Sequence, residues 1–411
     1  MKKSAIMVML FGAAFAATSA TITVDNVQQR WPWNNKVDIT YTITGDDLAG
    51  KVGKVTLTTI INGASYTVYD GPVGDAKVGT FTVTWENPPA GVNCNDCRMR
   101  ATLNTCPVRE GNDYMIVELK TGEVTYEGLF LDTDDVCGIS GQALSNARYN
   151  VDKYKTTHLV LRKVPKGTYK TGDSVNCATG GDRNNDATWT TDREFYIAVF
   201  PWTTYQYWEI LDLQDGKVGH IEITPRQMAY VGDIRGNDNP LTPPTPRTTQ
   251  HWPILEWLNG KTGMTFDLPT EVMFEIALRA GTTTTYFWGD DFADAAKYAV
   301  YNVSSAQPVG SKLPNNWGLY DMSGGTWEWV LDIYVSGQDL PTHEDAFTPF
   351  VPKDAETGEY LPVSSYVNRR VRPGHWTQNS AAWLRAAQRS GGSKNSNYGF
   401  RIAYIVPNSE E

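Results

Sequence analysis

The chain has 411 residues, of which 20% are charged and 12% aromatic, including 14 Trp. Because single hydrophobic cores rarely grow beyond about 250–300 residues, this length predicts two or three domains. The aromatic content argues against a disordered chain, which could not hide so many apolar rings from water. The net charge of −10, without any run of Lys or Arg, argues against nucleic acid as a partner.

The first twenty residues have the pattern of a secretory signal peptide. Lys2 and Lys3 precede an apolar stretch at 5–17, and small residues then lead to Ala20. Cleavage after Ala16 or Ala20 would release the mature chain. A membrane anchor is the alternative, but the apolar stretch is shorter than the ~20 residues that cross a bilayer. We therefore expect an exported protein without a membrane span, in the periplasm, at the cell surface or secreted.

Residues 21–137 are predicted to form a β-sandwich-like domain. Apolar and polar residues alternate at 37–43 and 55–61, an Asn-Gly turn follows at 62–63, and a further strand is indicated at 114–119. Period-two alternation is typical of strands with one buried face, and regularly spaced turns favour two packed antiparallel sheets. The domain could be an adhesive or carbohydrate-binding module, or a spacer that holds the second domain.

Four cysteines, Cys94, Cys97, Cys106 and Cys137, lie within this predicted domain, and Cys177 lies beyond it. Because exported proteins meet an oxidising environment, we predict that the four contribute to structural disulfides. Their spacing does not give the connectivity, and the odd total leaves one thiol over. The Cys94-x-x-Cys97 pair would also suit a redox site or zinc. However, no βαβ pattern surrounds it and no second Cys/His pair completes a metal site.

We interpret 138–157 as a linker, because its periodicity is weak, and 158–406 as a second domain. One helix is well indicated, with Pro269 as its first residue, because apolar residues at 273, 276, 277 and 280 recur at helical spacing and Gly281 ends the pattern. Elsewhere the segments are short, aromatic and interrupted by glycine. This combination predicts a loop-rich α+β domain.

Several blocks of this second domain resemble, in order, those of one enzyme family. They read FYIAVF at 195–200, FDLPTE at 266–271, FWGD at 287–290, GLYDMSG at 318–324, WEW at 327–329, RPGHW at 372–376, LRAAQRS at 384–390 and GFR at 399–401. Together they resemble the formylglycine-generating-enzyme, or sulfatase-modifying factor, family. The resemblance implies a C-type-lectin-like fold. That family includes copper-dependent oxidases, iron-dependent sulfoxide-forming relatives and members with no assigned reaction, so the fold alone does not give the chemistry.

The resemblance places Ala381 and Ala386 at the positions where the oxidase branch has two copper-binding cysteines. Thiolates suit that task because soft sulfur holds Cu(I), whereas a methyl group can neither ligate copper nor form a thiolate. The nearest cysteine in the sequence is Cys177. We therefore expect no copper site and no conversion of cysteine to formylglycine.

The iron-dependent branch would need a cluster of histidines. The chain has five, at positions 158, 220, 251, 343 and 375. Because an iron site needs three converging ligands, scattered histidines favour surface or packing roles. Asp290 and Asp291, beside Trp288, could form an acid pair, but a solvated turn is the simpler interpretation.

The block at 321–328 resembles the calcium loop of the family. By that resemblance Asp321 and Glu328 would supply carboxylates, and Gly324 and Thr326 carbonyls, to one calcium ion, and such an oxygen set suits a hard cation. Gly325 replaces the usual Asn, and a second calcium site is not recognisable. The alternative is a tight glycine turn closed by a hydrogen bond from Glu328, without an ion.

A ligand-binding surface is predicted in the C-terminal blocks. Its residues combine flat rings with amide, hydroxyl and guanidinium donors, which suit saccharides or peptides. They are His375, Trp376, Gln378, Asn379, Trp383, Arg385, Arg389 and Ser390. Alternatively, the tryptophans belong to the core and the two arginines brace loops.

These observations predict an exported, non-catalytic member of the family that binds a saccharide, a peptide or a protein. One alternative is an enzyme of the same family with unrecognised chemistry, such as a formylglycine-generating or related metal-dependent oxidoreductase. The other is a structural component of the cell surface.

Overall fold

A computed structural model describes most of the chain in two compact units. The described residues are 19–30, 34–173, 175, 186–215, 222–228, 231–236, 239–244, 253–335, 345–361, 368–393 and 398–408. One unit comprises residues 1–108 and 133–140, and the other comprises 109–132 and 141–411. The predicted signal peptide up to residue 18, Cys177 and the histidines at 220, 251 and 343 lie outside the described residues. Among the residues searched, no helix has the length and apolar character needed to cross a membrane.

The first unit contains two sheets. Its strands are β1 (Thr21–Gln29), β2 (Val37–Thr44), β3 (Lys51–Ile61), β4 (Ala64–Asp70), β5 (Gly74–Asp75), β6 (Gly79–Trp85) and β7 (Met99–Pro107). The first sheet has the order β1-β2-β6, and in the second β3 pairs with β4, β5 and β7. Buried side chains from both sheets, such as Ile39 and Leu57, join one apolar cluster. The alternation at 37–43 and 55–61 thus corresponds to β2 and β3.

Cys94, Cys97 and Cys137 have free thiols in this unit, and the structure shows no disulfide among the residues that it describes. Cys94 and Cys97 lie on and directly after a short 3-10 turn, Cys94–Asp96. Burial, with Cys97 beside it, raises the pKa of Cys94 to about 11. The prediction rested on the cellular compartment and on the number of cysteines. Neither factor brings two sulfur atoms into the narrow geometry of a disulfide.

The second unit combines sheets with short helices and much irregular backbone, as the sequence predicted. Its strands are β8 (Tyr114–Glu118), β9 (Val124–Glu127), β10 (His158–Val164), β11 (Gly167–Thr171), β12 (Ala187–Thr191), β13 (Phe195–Ala198), β14 (Phe266–Asp267), β15 (Glu328–Ile333), β16 (Asn368–Arg372), β17 (Ser390–Ser393), β18 (Gly399–Phe400) and β19 (Ala403–Ile405). The main sheet has the order β14-β19-β13-β10-β8-β9, and a second sheet has the order β17-β16-β15-β18.

The helices of this unit are short. They are α1 (Gly141–Tyr149), α2 (Thr204–Asp215), α3 (Val231–Arg235), α4 (Ile254–Thr262), α5 (Glu271–Arg279) and α6 (Ala295–Tyr298). Short 3-10 turns occur at Asp152–Lys155, Phe292–Asp294 and Ala381–Leu384.

The boundary between the units differs from the predicted one in two ways. Strand β8 pairs with β10 of the second unit, although the sequence suggested that it belongs to the first. Alternation identifies a strand but not its partner, so the sequence could not make this assignment. The segment at 138–157, interpreted as a linker, carries α1. The buried face of α1 includes the polar residues Ser145 and Arg148, so the sequence has no apolar periodicity that would have predicted the helix.

The predicted helix is α5, although it begins at Glu271 and not at Pro269. Thr270 caps it, because its Oγ1 accepts a hydrogen bond from the Met273 N–H at 3.1 Å. The helix ends at Ala280, which has a left-handed backbone with φ of 46°. Every residue from Glu271 to Arg279 is buried. The helix therefore lies in the core, and its charged side chains are buried with it.

Candidate functional site

Part of the predicted ligand surface is a turn at residues 374–379, which we call the His375 turn. The rings of His375 and Trp376 lie against each other, with their centroids 3.8 Å apart. On the other side of the imidazole, Nε2 of His375 is 3.3 Å from Nε2 of Gln227. The backbone N–H of His375 donates to Oε1 of Gln378 at 3.0 Å. One turn therefore presents two rings and a set of amide groups together.

Backbone contacts with the glycine loop at 324–326 position this turn. Gly374 has a φ of +86°, and a Cβ there would lie 2.7 Å from the backbone nitrogen of Gly324. The Trp376 N–H donates to the Gly325 carbonyl at 3.1 Å, and the Trp376 carbonyl accepts from the Val303 N–H at 2.8 Å. Only glycine permits both the left-handed backbone and this close approach. The loop that resembles a calcium site therefore supports the His375 turn.

The His375 turn is half-exposed and carries no formal charge. His375, Trp376 and Gln378 are partly exposed, and Asn379 is exposed. Partial burial lowers the pKa of His375 below its ordinary value, which favours the neutral form of the ring. A ligand would therefore meet aromatic surface and hydrogen-bonding groups rather than an ion. Sequence reasoning missed Gln227, since no pattern links a lone glutamine to a turn so distant in the chain.

The remaining predicted residues have different surroundings. Trp383 is partly buried and packs edge-on against Trp327, with centroids 5.8 Å apart. Arg385 is partly exposed, and its Nε donates to the carbonyl of Ala382 at 3.3 Å. Ser390 begins β17 and pairs with Val371. The packing of Trp383 fits the core alternative, so these residues contribute less to a surface than the His375 turn does.

Arg389 is not part of the surface. Its side chain is fully buried, and its Nη2 donates to Oε2 of Glu271 at the start of α5. Two features of the sequence, an arginine and neighbouring polar residues, suggested exposure. Its acidic partner, Glu271, belongs to a helix that is far away in the sequence, so the burial of Arg389 could not be predicted from its neighbours. A side chain at this depth does not contribute to a ligand surface.

A buried network of charges surrounds α5. Glu275 accepts from Arg279 Nε at 2.9 Å, from Arg372 Nη2 at 2.8 Å and from the Gly172 N–H at 2.7 Å. Arg372 also donates to Glu271 Oε1 at 3.2 Å. Burial alone would raise the pKa of Glu275, but Arg372 and Arg279 hold it below its usual value. Because these opposite charges pair with one another, we assign the network a structural role.

The proposed calcium ligands are used by the protein itself. Asp321 Oδ2 accepts from the Gly310 N–H at 2.6 Å. Both carboxylate oxygens of Glu328 accept from Arg401, each at 2.8 Å. Burial raises the pKa of both carboxyl groups, and Arg401 opposes that shift. A cation would have to displace Arg401 or share Glu328 with it, so these side chains do not fit a calcium ion.

The alternative without an ion agrees better with this geometry, although the turn is closed differently. The Thr326 N–H donates to the Gly324 carbonyl at 2.8 Å, whereas Glu328 pairs with Arg401. No group of three or more His, Cys, Asp or Glu side chains that could hold a metal occurs among the residues that the structure describes.

We predict that calcium will not stabilise the protein. A ligand present at 100 times its Kd adds about 2.7 kcal/mol to stability, which would raise the melting temperature by a few degrees. We expect the melting temperature to rise by less than ~1 °C when millimolar calcium is added to chelator-treated protein, with magnesium as the control. A rise of several degrees with calcium alone, abolished by Asp321→Asn, would contradict this interpretation.

Ala381 and Ala386, which the resemblance in sequence places at the copper-binding positions, have only methyl side chains. Ala381 begins a 3-10 turn and packs against the cluster around Tyr286. Ala386 is fully buried, its carbonyl accepts from Arg372 Nη2 at 2.6 Å, and its N–H donates to Thr285. Neither side chain can bind Cu(I), so the residues present do not fit that metal.

Comparison with known proteins identifies relatives of the second unit. Residues 152–405 match the family model described as the sulfatase-modifying factor enzyme 1-like domain. A formylglycine-generating enzyme of Thermomonospora curvata is 29% identical over 125 residues, or 25% of this chain and 41% of that protein. The inactive C-alpha-formylglycine-generating enzyme 2 of Mus musculus is 36% identical over 90 residues, or 18% of this chain and 28% of that protein.

A third relative is the serine/threonine-protein kinase pkn1 of Chlamydia pneumoniae, 33% identical over 152 residues, or 36% of this chain and 21% of that protein. The chain thus spans less than half the length of each of these relatives. Among solved structures, PvdO from Pseudomonas aeruginosa matches with a TM-score of 0.43 at 20% identity, covering 60% of this chain and 94% of that one. Treponema denticola variable protein 1 matches with a TM-score of 0.40 at 18% identity, covering 60% and 95%.

Proposed function

The chain belongs to the family of sulfatase-modifying factor enzyme 1-like domains through residues 152–405, and from that premise we propose that it is an exported, non-catalytic member that binds a ligand through the His375 turn. In this proposal the second unit has the C-type-lectin-like form of the fold. The first unit is a β-sandwich-like module, an assignment supported by its two sheets and their common apolar cluster.

One observation carries the non-catalytic part of the proposal. Ala381 and Ala386 stand where the resemblance to the oxidase branch requires two thiolates. Formylglycine formation removes hydrogen from a substrate cysteine only after a metal–thiolate centre has activated oxygen, and a methyl group supplies neither ligand nor electron. The murine relative, described as inactive, supports the view that members of this family exist without the reaction.

The chemistry of the His375 turn supports ligand binding. The half-exposed rings of His375 and Trp376 offer an apolar face, and the amides of Gln227, Gln378 and Asn379 offer both donors and acceptors. A sugar ring presents the complementary set, since it has an apolar face and a rim of hydroxyls. A peptide with neutral polar side chains offers similar groups. We therefore propose an uncharged saccharide or peptide as the ligand.

Replacing Trp376 with alanine is expected to weaken binding of that ligand by about 30-fold or more, because central aromatic contacts often contribute ~2 kcal/mol or more to an interface. Glycan and peptide arrays probed with the full chain would identify the ligand, and calorimetry would give its affinity. Tyr360→Ala is a matched control, because Tyr360 is an exposed ring elsewhere in the same unit. If Trp376→Ala binds the ligand with unchanged affinity, the binding site lies outside the His375 turn.

Purified protein is expected to leave a Cys-x-Pro-x-Arg peptide unchanged in the presence of copper and oxygen. The peptide mass, measured over several hours, is the readout. A formylglycine-generating enzyme, such as the Thermomonospora curvata relative, serves as the positive control in parallel. Appearance of the aldehyde would show that the chain assembles a catalytic centre without cysteines at 381 and 386, and would refute the non-catalytic assignment.

A further inference from the structure

The second unit contains a cavity of about 310 Å³ that includes no residue of the His375 turn. It lies where β14 and β19 meet the start of α5. Its walls are mainly apolar and include Leu268, Met273, Leu331, Phe347, Ala403 and Ile405. Its volume is at the lower end of the roughly 300–1,000 Å³ that small-molecule pockets occupy. The size therefore suits a small molecule rather than a segment of another protein.

Two of the polar residues that line this cavity already have partners. Both carboxylate oxygens of Asp267 accept from Arg235, at 2.6 and 2.7 Å, and Oδ1 also accepts from the Leu268 N–H. The hydroxyl of Thr270 donates to the Ala346 carbonyl at 2.6 Å. The negative charge at the wall is thus neutralised within the protein, and it would not hold a cationic ligand.

Arg193 differs from these groups. Its guanidinium lies 4.6 Å from the centre of the Phe347 ring, and its side chain is only 25% exposed. Its Nε is buried and has no hydrogen-bond partner within the described part of the chain. Asp192 forms an ion pair with this atom at 3.7 Å, which is too long for a hydrogen bond, and its carboxylate is 78% exposed, so water screens its charge. A buried donor without an acceptor is costly, and an acceptor supplied by a ligand would remove that cost.

We propose that this cavity binds a small carboxylate with an apolar body. The alkyl or aryl part packs against the apolar walls, and the carboxylate accepts hydrogen bonds from Arg193. Guanidinium and carboxylate match in geometry and charge, and their hydrogen bonds are among the stronger ones in proteins. A single arginine in an apolar cavity favours a monoanion over phosphate or sulfate. The site is separate from the proposed function and does not depend on it.

Calorimetry with the full chain would test this proposal. The probes are phenylacetate, 4-phenylbutyrate and hexanoate, each compared with its neutral amide at pH 7. At least one acid is expected to bind about tenfold more tightly than its amide, because only the acid pairs with the guanidinium charge. Arg193→Gln should abolish that difference and leave the affinity for the amide unchanged. Arg100→Gln, at an exposed arginine of the first unit, is the matched control and should change neither affinity.

A second variant tests the proposal by reducing the volume of the cavity and does not alter its charge. Leu241 lines the cavity and is 38% exposed, so Leu241→Trp would fill part of the space and weaken acid and amide alike. This variant keeps the test valid if Arg193→Gln does not fold. The proposal is overturned if no acid binds at millimolar concentration, if acid and amide bind equally, or if Leu241→Trp binds as the wild type does.

Discussion

Replacing Arg401 with leucine is expected to lower the free energy of unfolding of the second unit by about 3–5 kcal/mol. Arg401 is fully buried and donates through Nε and Nη2 to the two oxygens of Glu328, each at 2.8 Å. It also donates to the carbonyls of Ala198 and Tyr320, at 2.9 and 3.1 Å. Without it, Glu328 becomes a buried carboxylate that has lost its counter-ion.

The measurement is urea-induced unfolding followed by tryptophan fluorescence. An exposed pair in the first unit provides the control, since Arg30 contacts Asp38 through the same two-point geometry, at 2.7 Å for each bond, but the two side chains are 42% and 28% exposed. Arg30→Leu is expected to change stability little, because water already solvates that pair. An equally small effect of Arg401→Leu would contradict the importance that we give to burial.

A double variant separates the charge from the packing. Adding Glu328→Leu to Arg401→Leu removes the uncompensated carboxylate, and we expect part of the lost stability to return. If the double variant is less stable than the single one, the loss comes from packing or from the carbonyl contacts rather than from the unpaired charge.

Replacing Glu271 with glutamine is expected to cost a similar amount, about 3–5 kcal/mol. The Glu271 side chain is 1% exposed, and it accepts from Arg372 Nη1 at 3.2 Å and from Arg389 Nη2. Glutamine keeps the shape of the side chain but removes its charge. Glu275 would then be the one carboxylate left opposite the buried guanidinium groups of Arg279, Arg372 and Arg389, where the wild type has two.

Urea unfolding again provides the measurement, and Glu86→Gln is the matched control because Glu86 pairs with Lys36 while remaining 56% exposed. Acidification adds a second test. The pKa of Glu275 is held below its usual value, so its contribution is complete above the ordinary Glu pKa and is lost as the pH falls through the lowered value. Equal stabilities of Glu271→Gln and Glu86→Gln would show that the network around α5 tolerates loss of charge.

The sequence predicted those parts of the fold that depend on local patterns. The α5 helix follows from helical spacing after Pro269, and β2 and β3 follow from period-two alternation. The partner of β8 did not follow, because the same alternation fits a sheet in either unit. Helix α1 was missed because two of its five buried residues, Ser145 and Arg148, are polar, and their burial depends on contacts outside the helix.

The candidate site was predicted in part. His375, Trp376, Gln378 and Asn379 are consecutive or nearly so, and one turn brings them together. Gln227 joins them only through the tertiary fold, at 3.3 Å from His375. The long-range ion pairs of the core could not be predicted either, because a sequence does not distinguish a buried arginine from an exposed one.

The way in which the His375 turn is held has a consequence for the evolution of binding specificity. Its anchors are Gly374 and two main-chain hydrogen bonds, from the Trp376 N–H to the Gly325 carbonyl and from the Val303 N–H to the Trp376 carbonyl, which any residue except proline at position 376 would leave intact. Positions 376, 377 and 379 can therefore diversify among related proteins while the scaffold remains constant. If the turn binds the proposed ligand, a few substitutions at these positions would change the ligand and leave the backbone of the turn unchanged.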